Sequence, residues 1–159
     1  MTKLSPGQSN FKLSPKHTVN STATVYAAGT AYSLTTTPAL LTFGTTSPSL
    51  TLNEPGTYLL LARVRLDYNG ATFAAVRTVT LKLRRTNNTA ADLTNGATSL
   101  LTDIITTKTL TMMDDELPHL IYTTANNNDI IQIFGDVGVA PTAGSLDAVE
   151  AEIIAIKLS

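Results

Sequence analysis

Between Thr57 and Asp67 apolar side chains recur at every second position, a period that a half-buried β-strand satisfies and a helix does not. Tyr58, Leu60, Ala62, Val64 and Leu66 fall on one face of this strand, and Leu59, Leu61, Arg63 and Arg65 on the other. Shorter stretches repeat the pattern. Ala23 to Ala27, Ala39 to Phe43, Ser49 to Leu52, Phe73 to Arg85, Ile104 to Met113, Leu117 to Thr123, Asp129 to Phe134 and Ala148 to Leu158 all read as strands. Between Phe73 and Arg85 the inward residues are Val79, Leu81 and Leu83. The breaks are Gly29, Pro38, Asn53-Glu54-Pro55-Gly56, the Tyr68-Asn69-Gly70-Ala71 turn, the polar stretch Asn87 to Gly96, Asn126-Asn127-Asn128 and the region Gly135 to Gly144. Ala90 to Leu101 and Leu146 to Ile156 hold helix formers, but nothing in the chain has a convincing helical period. Many short alternating strands with Gly, Pro and Asn between them predict an all-β sandwich or barrel.

Composition fits that class. Thr is roughly one residue in six and favours strands. Charged residues are 14% of the chain, against about 25% in an average soluble domain. A surface so poor in charge is expected where a partner or further copies of the chain cover it, or where Thr, Ser and Asn supply the polarity. The 159 residues suit one domain with a short arm. Residues 1 to 20 form that arm: Ser5-Pro6-Gly7 and Ser14-Pro15 break it, and Leu4, Phe11, Leu13 and Val19 are its larger apolar side chains after Met1. Residues 21 to 159 are expected to form the sandwich.

The last strand differs from the others. Val149-Glu150-Ala151-Glu152 alternates, whereas Ile153-Ile154-Ala155-Ile156 is apolar on both faces. An antiparallel strand with one wet face does not need the second apolar row. A strand held between its own core and a neighbouring subunit does.

Three segments resemble the C1q/TNF-like jelly-roll family. Leu50-Thr51-Leu52-Asn53-Glu54-Pro55-Gly56-Thr57-Tyr58-Leu59-Leu60-Leu61-Ala62 is similar to the family's short strand, Pro-Gly turn and aromatic-led long strand. Asn127-Asn128-Asp129-Ile130-Ile131-Gln132-Ile133 is similar to its Gly-Asp-x-Val-x-Leu strand opening, with Asn128 in place of Gly. The third is the apolar strand at the end of the chain, which lacks the family's aromatic and Gly residues around Glu152 to Ile156. The resemblance covers roughly Ala31 to Leu158. It implies a jelly-roll β-sandwich of two antiparallel sheets that assembles as a homotrimer, with Tyr58, Leu60, Ile153, Ile154, Ile156 and Leu158 in the trimer interface. Such domains also occur in bacteriophage virions. A Cys-free, Thr-rich chain with an arm and no apolar leader looks most like those, so the implied role is a capsid decoration protein located in the virion. Its implied partner is the major capsid protein or another virion protein, held through Leu4, Phe11 and Leu13 of the arm. A receptor-binding head of a tail or head fibre and a carbohydrate-binding, lectin-like module are the other roles such a fold serves.

The residues offer little catalytic chemistry. His17 and His119 are the only histidines, and no Gly-x-Ser-x-Gly elbow is present. Without Cys there is no thiolate nucleophile or thiolate metal site. No enzyme, cofactor or metal is expected. Asp114-Asp115-Glu116 lacks the pattern of a dedicated calcium loop and reads as a solvated turn, as do Asp103, Asp129 and Asp136. Arg63, Arg65, Arg77, Lys82, Arg84 and Arg85 fall on strands predicted to be adjacent. With few aromatics among them and a formal net charge of -1, they read as ion-pairing partners across subunits and not as a nucleic-acid surface. No apolar run reaches the roughly 18 residues that a spanning helix needs, so no membrane partner is expected.

Overall fold

A computed structural model describes residues 22–73, 78–93, 98–100, 112–117 and 119–159. Among them are eleven strands: β1 (Thr22–Ser33), β2 (Ala39–Leu40), β3 (Ser49–Leu52), β4 (Gly56–Thr72), β5 (Val79–Arg85), β6 (Ala91–Asp92), β7 (Thr98–Leu100), β8 (Met112–Glu116), β9 (Leu120–Thr124), β10 (Asp129–Val137) and β11 (Ala143–Lys157). One sheet runs β1-β11-β4-β8, with β9 also on β4. The other runs β2-β10-β5-β6, with β3 also on β10 and β7 also on β5. Every ladder is antiparallel.

Three pairs share a neighbour: β2 with β3, β6 with β7, and β8 with β9. Taking each pair as one interrupted strand leaves eight, ordered first-eighth-third-sixth in one sheet and second-seventh-fourth-fifth in the other. That order is two interlocked Greek keys, and the fold is a jelly-roll β-sandwich.

Period-2 alternation builds the core. Tyr58, Leu60, Ala62, Val64 and Leu66 of β4 face Leu81 and Leu83 of β5 and Ile131 and Ile133 of β10 across a buried interior. β11 changes parity on the way: Leu146 and Ala148 are buried, then Ala151, Ile153 and Ala155. A register shift between Ala148 and Glu150 absorbs the change. The helix formers of Leu146 to Ile156 are thus all in strand.

Several boundaries differ from the sequence expectation. Asn69-Gly70 is no hairpin turn. β4 continues to Thr72, and Asn69 and Gly70 together oppose Ser145 in a bulge, with Gly70 at φ +66°. Gly29 lies inside β1 beside a similar register shift, between Ala28 and Tyr32. Gly135 belongs to β10, where a Cβ would press the methyl groups of Leu34, Leu41 and Leu81 at 3.0–3.1 Å. The turn after β10 spans only the residues between Val137 and Ala143. Asp114-Asp115-Glu116 is not a turn either: it lies in β8, with Asp114 and Glu116 opposite Arg65 and Arg63 in the ladder.

Gly56 does sit where a turn meets a strand, at φ +154°. A Cβ there would collide with the carbonyl oxygen of Ser159 and lie 2.8 Å from Lys157 Cε. The same corner is tied by Thr57 N donating to Ser159 O at 3.0 Å and by a Lys157–Glu54 pair at 2.6 Å. Gly56→Val therefore combines backbone strain with steric conflict. It is expected to cost about 2 kcal/mol, which a thermal melt reads as a midpoint roughly 4–8 °C lower.

Candidate assembly face

The outer face of the first sheet is divided in two. In register, Thr22, Ile156, Leu59 and Ile121 form one row across β1, β11, β4 and β9. Thr24, Ile154 and Leu61 form the next. The next rows are Tyr26-Glu152-Arg63 and Ala28-Glu150-Arg65, each facing an acidic residue of β8 in the ladder. Apolar side chains thus cover the half nearest the start of β1, and ion pairs cover the other.

Ile121 is 59% exposed, and Leu59, Leu61, Ile154 and Ile156 are half-buried. Arg63 Nε meets Glu152 Oε2 at 2.8 Å, and Arg65 lies 3.7 Å from Glu150. The Tyr26 hydroxyl donates to Glu150 at 2.8 Å; that hydrogen bond leads the causes that raise its pKa. Where the halves meet, Leu61, Ala62, Arg63, His119, Glu152 and Ile154 line a shallow cup of about 240 Å³, its lining part apolar and part ionic.

Ile154 and Ile156 of the residues expected in the interface lie on this face. Tyr58, Leu60 and Ile153 do not. They point between the sheets and are 5%, 0% and 0% exposed, so the chain's own core occupies them. The Tyr58 hydroxyl donates to Glu54 O at 2.7 Å. Leu158 is exposed just beyond β11. Leu4, Phe11 and Leu13 lie outside the described residues, as do His17, Asp103 and Arg77. The residues that complete the apolar rows, Leu59, Leu61 and Ile121, were not among the expected ones. For Leu59 and Leu61 the signal was present, since both fall on the face of β4 that does not fill the core.

The basic residues divide between the sheets. Arg63 and Arg65 are on β4, while Lys82, Arg84 and Arg85 are on β5 in the opposite sheet, so the expected stripe of adjacent strands does not exist. Their pairings lie within the chain. Lys82 meets Asp92 at 2.8 Å, and the Arg84 guanidinium stacks 5.1 Å from the centre of the Phe134 ring.

Asp129 is the second organised cluster, and the sequence reading placed it at a solvated turn. It is fully buried. Its carboxylate accepts from Tyr122 and Thr124 at 2.6 Å each and from Asn88 at 2.9 Å, with Arg85 at 3.8 Å. Burial pulls this carboxyl upward. The bonds from Thr124, Tyr122 and Asn88 and the Arg85 charge outweigh burial and hold its pKa below the ordinary value. The cluster joins β5, β9 and β10 to the loop after β5, in which Asn88 and Thr89 have positive φ. Among the described residues no group of three or more His, Asp or Glu side chains is placed to hold a metal ion.

No family profile and no curated protein matches the sequence. Solved structures do resemble the fold. A chain of the T13 particle of infectious bursal disease virus is similar over 86% of this chain and 31% of its own, at 11% identity and a TM-score of 0.50. The fold is shared. This chain spans about a third of that viral chain. The globular domain of zebrafish complement 1qA is similar over 87% of this chain and 96% of its own, at 13% identity and a TM-score of 0.49. Eiger TNF from S. frugiperda is similar over 86% and 85%, at 17% identity and a TM-score of 0.38.

Proposed function

We propose that this chain is a non-enzymatic structural protein of a virion, a homotrimer that decorates a bacteriophage capsid. The observation that carries the assembly is the pair of apolar rows on the outside of a finished sandwich. Its interior is already filled by Tyr58, Leu60 and Ile153. Among the described residues, Leu59, Leu61, Ile121, Ile154 and Ile156 therefore stand outside the core, and contiguous apolar patches of this kind mark contact surfaces. A second copy of the chain is the occupant that fits, because the rows continue into acidic and basic side chains of the same face that another copy can complement.

The arm supplies attachment in this reading. Thr22 pairs with Ile156, so residues 1 to 20 lead to the sandwich at the apolar end of the face. Burying that end in a trimer brings three arms together. Each arm would reach the major capsid protein or another virion protein with Leu4, Phe11 and Leu13. Three arms on one particle bind with avidity, a gain of roughly 10² to 10⁴ when sites and spacing match. The likeness of fold to a chain of a viral particle agrees with this role.

Deletion of residues 2–20 tests the division of labour. The truncated protein is expected to sediment as a trimer and to fail to co-sediment with capsids that lack it. A truncated trimer that still decorates capsids at full occupancy would remove the arm from the mechanism. A monomer at micromolar concentration would remove the assembly face.

A further inference from the structure

We propose that Asn69-Gly70 is a site of spontaneous deamidation, and that the reaction opens a latch joining three strands of the first sheet. The bulge leaves Asn69 and Gly70 sharing Ser145 as their single ladder partner, so one of these two residues stands outside regular pairing. Both are exposed, and nothing lies within 4 Å of where a Gly70 Cβ would be. Gly70 itself carries no side chain to hinder the approach of its nitrogen to the Asn69 side chain. Among the described residues the Asn69 amide is held by Nδ2 donating to Asp147 at 3.2 Å and to Ser145 at 3.4 Å.

The chemistry needs only water. The Gly70 nitrogen attacks Asn69 Cγ, a nitrogen–carbon bond forms, the Cγ–Nδ2 bond breaks, and ammonia leaves with the proton from Gly70. Water then opens the cyclic imide at either carbonyl, giving aspartate or isoaspartate and one new carboxylate. Deprotonation of the Gly70 amide starts the reaction, so alkali accelerates it.

The position matters because of Asp147. This carboxylate is 6% exposed and is met by two neutral donors, Ser33 of β1 at 2.7 Å and Asn69 of β4. Asp67 stands opposite it in the ladder. Deamidation replaces a donor to Asp147 with a further carboxylate beside Asp147 and Asp67, and the β1–β11–β4 connection loses its side-chain bridge.

The test is incubation of the full chain at body temperature in neutral and mildly alkaline buffer, followed by trypsin digestion. Cleavage after Arg65, Arg77, Arg85 and Lys108 separates the peptide 66–77 from the peptide 86–108, which holds the other Asn-Gly step, Asn95-Gly96. The peptide 66–77 is expected to gain one dalton and to become a substrate for isoaspartyl methyltransferase, faster at the higher pH. Asn69→Gln blocks both signals. Asn69→Asp, the aspartate product made directly, is expected to melt roughly 3–6 °C below the parent chain. No mass gain in the folded chain, alongside a gain in the urea-unfolded chain, would overturn the site. An Asn69→Asp variant that melts with the parent would overturn the latch.

Discussion

Asp129→Ala is expected to destabilise the protein by about 3–5 kcal/mol, the range found when one partner of a buried charged cluster is removed. The substitution leaves a cavity and removes the acceptor shared by Tyr122, buried Thr124 and Asn88, while Arg85 loses its carboxylate and keeps Tyr122 and Thr89 O. An unsatisfied buried donor costs about 1–3 kcal/mol, so the effect exceeds that of truncating a surface acid. Chemical denaturation measures it. The network also sets a pH dependence. The folded carboxyl titrates below its unfolded value of about 3.9, so its stabilisation is complete above that pH and is lost as pH falls through the folded pKa. Asp129→Asn keeps the size and removes the charge. Its stability curve is expected to lie well below that of the parent at neutral pH and to approach it in strong acid. Curves that run parallel from neutral to acid would show that the carboxylate is not the group being lost.

Ile154→Asp is expected to abolish the proposed trimer and leave a folded monomer. Ile154 is half-buried at the centre of the apolar rows, between Thr24 and Leu61 in register and at the edge of the cup. In a single chain the new carboxylate faces water and the core is untouched. In the assembly it enters a desolvated contact without a cation, at a cost of several kcal/mol, which weakens association by roughly three orders of magnitude. Analytical ultracentrifugation is expected to give a 16.8 kDa species for the variant where the parent is three times heavier. Thr80→Asp, on the outside of the opposite sheet, is the matched control and is expected to remain trimeric. Loss of the trimer in both variants would point to general destabilisation instead of a face.

The faces of β4 and β5 were legible in the sequence because alternation is local: each residue's side of the sheet follows from its neighbours two positions away. Asn69-Gly70 shows where local reading fails. The same dipeptide serves a hairpin turn and a bulge, because both need positive φ at glycine. Only the third strand, β11, running alongside residues on both sides of it, decides between them. Asp129 was misplaced for a related reason. A carboxylate is normally solvated, and the donors that change this come from positions 88, 122 and 124, which no short window joins to it. The acidic run in β8 and the basic residues of β4 and β5 were likewise misread, since their surroundings depend on sheet order. In the last strand, an apolar row on each face did carry long-range information: one row fills the sandwich and the other remains outside it.

The strand order has a consequence for how the protein is made. β1, the first described strand, has a single ladder neighbour among the described residues, β11, and β11 also supplies one whole flank of β4. During synthesis the two earlier strands must wait on the ribosome, each with an edge open, for a partner that begins about 110 residues after β1 and about 70 after β4. At roughly 5–20 residues per second that wait lasts several seconds, far longer than a hairpin takes to form. Nascent chains halted just before Ala143 should engage chaperones and resist native folding, and release should depend on emergence of the final fifteen-residue strand.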